Sequence, residues 1–234
     1  MRVLGIDTST LCGSIGLIEV EQILCEYTLN GKMSHSERVL KTIDRVLEDS
    51  GVAIGDIDGF AISIGPGSFT GLRIGVSVVK GLAFATGKPV AGVSTLDAIA
   101  QNVRYSPYLI CPVLDARKGE IYAALYRNSG KNGLIKVAPE IAIKPDELFE
   151  RIDEEALFLG NGVYSYGDLI RRELGEMAHI APPLFNFVHG VVVAQLGRQK
   201  LEEGQYLDME GFVPQYLRKS DAELRWEKKM GKSS

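Results

Sequence analysis

The strongest constraint on this chain is a pattern that occurs twice. Apolar alternation over residues 3–6, a polar turn at 8–13 and a second apolar run over 14–18 predict an opening β-hairpin, with residues 23–29 as a third strand. The same grammar restarts at residues 109–115, turns through Gly119 and continues over 121–126. Between the hairpins, Ser34-His35-Ser36-Glu37 offers a capping box. Val39, Leu40, Ile43, Val46 and Leu47 then recur at helical spacing until Gly51. A strand over 60–64 leads into Gly65-Pro66-Gly67-Ser68. A long helix over 70–85 follows, closed by Gly87 and Pro89. Residues 90–93 form another strand, and Ser94 with Asp97 starts another helix. After a loop at 128–133, the second half predicts a short helix from Pro145, a strand at 157–160 and helices over 166–174 and 188–203. The expectation is an α/β protein of two duplicated lobes, residues 1–105 and 106–215, with a tail at 216–234. This is the actin-like ATPase, ribonuclease-H-like architecture.

Composition narrows the class of partner. With 234 residues, 45% of them hydrophobic, the chain is long enough for one large core or two modest ones. A formal charge of −4 gives no global attraction to nucleic acid or to an acidic membrane. Residues 1–6 run straight into Asp7 and do not read as a signal peptide. No run reaches the roughly 18 apolar residues of a membrane helix, because Ser77 and Lys80 interrupt the best candidate at 74–85. Cys12, Cys25 and Cys111 are odd in number and widely spaced, which fits buried thiols in a reducing cytoplasm better than disulfides or a zinc site.

The segment GPGSFTGLRIG, residues 65–75, joins a strand to a helix start, where backbone N–H groups and the helix dipole favour an anion. Its spacing fits neither the P-loop nor the dinucleotide fingerprint, so a tight turn is the competing reading. Gly71 and Gly75 share one helical face, and the helix around them has almost no polar side. It is therefore either wholly inside the chain or covered by a partner helix. Asp7, with Thr8, Ser9 and Thr10, ends the first strand. In actin-like phosphotransferases such a position meets the metal or phosphates of ATP, and the alternative is a self-capping polar turn. A nucleotide-binding set of Asp7, Ser9, Gly67 and Ser68 follows, with a phosphotransferase or hydrolase as the competing function. The histidines, His35, His179 and His189, lack metal spacing. No G-x-S-x-G occurs, and Asp115, Arg117, Lys118 and Glu120 read as a solvated hairpin turn. The tail at 216–234 has six basic and three acidic side chains, a net +3 that could touch an RNA backbone.

These segments, in order, resemble the TsaB (YeaZ) family: LGIDTSTLCGSIGLI, HSE at 35–37, GPGSFTGLRIG, PVAGVSTLDAIA at 89–100, DARKGEIYAALY at 115–126 and PQYLRKSDAE from Pro214. The resemblance implies a non-catalytic subunit of the complex that makes threonylcarbamoyladenosine on tRNA. Its implied partners are the catalytic relative TsaD, the ATPase TsaE and, alone, a second copy of the chain. Where TsaD carries metal-binding histidines, this sequence has Thr95 and Ile99, so neither a metal nor a cofactor is expected. The resemblance also implies that the first two helices form the partner surface. The side chains expected there are His35, Ser36, Leu40, Ile43 and Leu47 of the first helix, and Phe69, Thr70, Gly71, Arg73, Ile74, Gly75 and Val78 of the second.

Overall fold

A computed structural model describes residues 1–31, 35–208 and 210–218. The capping residue Ser34 and residues 219–234 of the tail lie outside the described residues. The first sheet has the order β3-β2-β1-β4-β5. It is built from β1 (Arg2–Asp7), β2 (Cys12–Glu19), β3 (Gln22–Asn30), β4 (Gly59–Gly65) and β5 (Val90–Ser94). The β1–β2 and β2–β3 pairs are antiparallel, and β1–β4 and β4–β5 are parallel. The second sheet, β10-β9-β6-β7-β8, repeats that order and those senses. Its strands are β6 (Leu109–Arg117), β7 (Glu120–Asn128), β8 (Leu134–Ile143), β9 (Ala156–Leu159) and β10 (Ala178–Ile180). The helices keep the same rhythm: α1 (His35–Ser50), α2 (Phe69–Thr86) and α3 (Thr95–Gln101), then α4 (Pro145–Phe149), α5 (Gly162–Leu174) and α6 (Gly190–Glu202).

Alternation along the strands sorts side chains into three cores. Leu4, Ile6, Phe60 and Ile62 face α1 and α2, whereas Val3 and Ala61 face the middle of the molecule. In the second sheet Leu109, Cys111 and Val113 face α4 and α5, and Ile110 and Leu114 face the middle. The middle layer consists of α3 and α6, so the order is α1/α2, sheet, α3/α6, sheet, α4/α5.

Two strands were not foreseen. β8 carries an apolar alternation, but Pro139 interrupts it and only Ile143 is fully buried, as suits a sheet edge that need not donate every N–H. β10 has three residues, too few for a period. The contiguous division at residues 105 and 215 also needs correction, because α6 follows the second sheet in sequence yet packs on β1, β2, β4 and β5 of the first. The chain beyond α6 stays with that lobe. Leu207 N–H donates to Val90 O (2.8 Å), Gln215 N–H donates to Ile64 O (2.9 Å), and Leu207 and Phe212 join the α1/α2 core. It then crosses to the second lobe, where the Arg218 guanidinium donates to Ala116 O (2.6 Å) and approaches Glu120 (3.4 Å).

Missing side chains let α6 lie so close. Gly5 and Gly16 are register partners on β1 and β2. A Cβ on Gly5 would sit 2.1 Å from Gly190 O, and one on Gly16 would sit 2.2 Å from Val191 N. Gly16→Ala therefore pushes a methyl into backbone that cannot yield without lifting α6. We expect a loss of about 3 kcal/mol, the upper end of the overpacking range, seen as a fall of about 6–12 °C in thermal unfolding followed by circular dichroism. A variant melting like the parent would mean that α6 is not seated on this ladder.

Candidate functional site

The polar turn after β1 is sealed. Asp7, Thr8 and Ser9 are at most 1% exposed, and the GPGS loop and α2 close directly over them. Ser9 donates to Asp7 Oδ1 through its N–H (3.2 Å) and its hydroxyl (2.6 Å). Ser68 N–H donates to Ser9 O (2.6 Å), and the Thr8 hydroxyl donates to Gly71 O (2.8 Å). The Ser68 side chain caps α2 by accepting from Gly71 N–H at 3.2 Å. A Cβ on Gly67, Gly71 or Gly75 would come within 2.3 Å of Ser9 O, Thr8 O and Thr8 Oγ1 respectively. These glycines thus admit the chain's own turn.

From the other side, α1 clamps the same turn. His35 Nε2 lies 2.6 Å from Thr10 O, and since a carbonyl only accepts, Nε2 carries the hydrogen. Nδ1 is then free to accept from Arg38 Nη2 (3.3 Å), which also donates to Leu11 O at 2.7 Å. Burial lowers the His35 pKa and keeps the ring neutral, as this arrangement requires.

Two sequence readings change as a result. Asp7, Ser9, Gly67 and Ser68 do come together, but Asp7 and Ser9 are buried beneath the loop, Ser9 donates to Asp7 Oδ1, and the Ser68 N–H and hydroxyl are taken up by Ser9 O and Gly71 N–H. Likewise His35, Gly71 and Gly75 face the β1–β2 turn rather than a partner, and Ile43 is 2% exposed in the α1/α2 core.

Asp7 Oδ2 is buried and accepts no hydrogen bond, and desolvation raises the Asp7 pKa from the ordinary 3.8 to about 6. A carboxylate raised in this way favours the fold when protonated. Its contribution is complete below pH 3.8 and is lost as the pH rises through 6. Asp7→Asn, which keeps an acceptor for Ser9 without the charge, should therefore stabilise the protein at pH 8 by up to about 3 kcal/mol and give no gain below about pH 4. Melting curves of both proteins across this range check the prediction, and a pH-independent difference would refute it.

At the α3 N-terminus Ser94 caps the helix by accepting from Asp97 N–H at 3.3 Å. Thr95 and Ile99 are both 0% exposed, so the positions that the resemblance aligns with metal ligands are core here. Among the described residues no three His, Cys, Asp or Glu side chains are grouped to hold a metal ion.

The outward face of α1 and α2 is different. Only 28% of α2 is buried, although by length and composition it could cross a membrane, a correction to the expectation that no segment could. Of the anticipated contacts, Ser36, Leu40, Thr70 and Arg73 are exposed, and Leu47, Phe69, Ile74 and Val78 are partly buried. At its start Phe69 stacks on Tyr216 (centroids 4.4 Å apart), Arg73 lies over the Phe69 ring at 3.9 Å, and Arg73 Nε donates to the Tyr216 hydroxyl at 3.1 Å. Helical spacing also brings Ser77, Gly81 and Phe84 to this face, which the sequence reading missed. Phe84 is 94% exposed, and a Cβ on Gly81 would meet nothing within 4 Å.

The family model described as TsaD, tRNA N6-adenosine threonylcarbamoyltransferase, matches residues 22–226. The tRNA threonylcarbamoyladenosine biosynthesis protein TsaB of Bacillus subtilis is 34% identical over 97% of this chain and 98% of its own length. The Escherichia coli protein of that name is 32% identical over 99% and 100%. Among solved structures, YeaZ from Pseudomonas aeruginosa superposes with a TM-score of 0.76 at 27% identity, covering 92% of this chain and 99% of that one. The activator of the 2-hydroxyisocaproyl-CoA dehydratase from Clostridium difficile shares the fold at a TM-score of 0.53 and 11% identity, covering 88% and 97%. With two matching sheets, near-complete coverage and this level of identity, the chain belongs to the TsaB family of tRNA threonylcarbamoyladenosine biosynthesis proteins, on an actin-like ATPase fold.

Proposed function

We propose that this chain is a non-catalytic subunit that binds a TsaD-type threonylcarbamoyltransferase in the cytoplasm through the outward face of α2 and the adjoining edge of α1. TsaE would join the larger assembly, and a second copy of the chain would take the same face when TsaD is absent. The observation that carries this reading is the apolar, little-buried surface of α2, with Phe84 94% exposed and Ile74 and Val78 beside it, next to Leu40 of α1 at 53%. Exposed apolar area of this kind is stabilised when another helix covers it. The small residues Thr70, Ser77, Gly81 and Ala85 along it leave room for close helix packing. The buried Thr95 and Ile99 support the non-catalytic part, since an isoleucine side chain has no atom that can ligate a metal.

Gly75 cannot test this surface, because a larger side chain there strikes Thr8 inside the chain. Gly81→Leu does test it. In an exposed helix interior this change favours the helix by up to about 1 kcal/mol, so the monomer should melt no lower than the parent. The same side chain fills the close contact, and affinity for TsaD should fall at least about tenfold, equivalent to about 1.4 kcal/mol. Size exclusion of mixtures with TsaD, with titration calorimetry, reads the result. A folded variant that binds TsaD like the parent would remove α2 from the interface.

A further inference from the structure

A cavity of about 730 Å³ lies between the lobes, walled by the β2–β3 turn, α3, β7, the chain leading into β8, and α6. It is separate from the sealed Asp7 turn and from the outward face of α2. Its volume is in the range of small-molecule sites, roughly 300–1,000 Å³.

The charges on its walls are unequal. Arg104, Lys131, Lys136 and Arg198 line it, against the carboxylates of Glu21 and Asp97. Asp97 is already satisfied, because its Oδ1 accepts from the Tyr126 hydroxyl (2.8 Å) and from Lys136 Nζ (2.8 Å). Lys136 also pairs with Glu140 at 2.7 Å, so that group closes on itself at one end of the cavity. Arg198, on the α6 wall, spends Nη1 on Glu202 (2.6 Å), but its Nε is buried and has no hydrogen-bond partner. A buried N–H on a permanently charged group is costly when unpaired, and only an acceptor can relieve it. Gln101 and Gln195 add amide donors on the α3 and α6 walls.

We propose that this interlobe cavity binds a small polyanion, a phosphate-bearing molecule whose oxygens accept from Arg198 and Arg104. Guanidinium groups match phosphate oxygens with paired N–H donors, and cations contributed by three different elements suit a ligand with several charges. A ligand held there touches both lobes and ties them together. The site stands apart from partner binding by α2 and does not rest on it.

Pyrophosphate and citrate, titrated calorimetrically into the full chain at low salt, test the proposal. We expect saturable binding of pyrophosphate at millimolar concentration or below, weakening as salt rises. Arg104→Gln, on the exposed rim, and Arg198→Gln should each weaken it at least about tenfold while melting like the parent in the absence of ligand. Asp7→Asn should leave it unchanged. Absence of saturable pyrophosphate binding overturns the site, as does binding that both arginine variants retain. Citrate binding in place of pyrophosphate overturns the phosphate assignment. Should Arg198→Gln unfold, Arg104→Gln alone decides the outcome.

Discussion

The structure depends on how closely the β1–β2 ladder is held from both faces. On one face Gly5 and Gly16 admit the first turns of α6 at backbone contact. At the end of the ladder Gly67, Gly71 and Gly75 admit the Thr8–Ser9 turn against α2. Contacts at this distance leave no slack, so α6, the first sheet and α2 are fixed relative to one another. Polar pairing reinforces the first contact. Ser14 Oγ accepts from Gly190 N–H (2.9 Å), and Glu26 accepts from Val191 N–H (3.2 Å) and from His189 Nδ1 (3.1 Å), so a carboxylate caps the α6 N-terminus. Burial pushes the Glu26 pKa up, but these donors outweigh it and hold the carboxyl below its usual range. The Glu26 hydrogen bond in turn raises His189. The Glu26 contribution is complete above pH 4.5 and is lost as the pH falls through its lowered pKa. The His189 contribution is complete below pH 6.5 and is lost as the pH rises through its raised pKa. This cap is therefore strongest in mildly acidic to neutral solution.

That closeness also decides what the glycine loop before α2 can offer. A phosphate cradle needs N–H groups facing outward. Here Ser68 N–H is taken by Ser9 O and Gly71 N–H by the Ser68 hydroxyl. Asp7, left without a charged or donor partner on Oδ2, is pushed towards its neutral form. The glycines that suggested a ligand are the means by which the chain fills the space itself.

Much of the fold was legible because strands and helices here follow their periods. The hairpins at 3–18 and 109–126 appear as β1–β2 and β6–β7, and the cap at Ser94 and the stop at Gly87 form as read. β8 and β10 were hidden by Pro139 and by brevity, and the placement of α6 on the first sheet is a long-range contact that no local pattern encodes. For the site, helical spacing correctly marked α2 as having too little polar surface, but it could not say which of its glycines faced inward. Gly71 and Gly75 differ from Gly81 only in phase around the helix, and that phase is set by where Thr8 sits, 63 residues before Gly71 in sequence.

The duplication also sets what occupies the layer between the lobes. α3 and α6 follow the fifth strand of their respective sheets, and both occupy the layer between the lobes. A helix in that layer can present side chains to a shared cleft or bury them in the joint. In α3 the second outcome holds, because Thr95, Leu96, Ala98, Ile99 and Ala100 are all 0% exposed. Thr95 is the polar exception in this run, and its hydroxyl is buried there without a hydrogen-bond partner. The outward face of α2 bears no part of that joint and stays largely exposed, with Phe84 94% exposed.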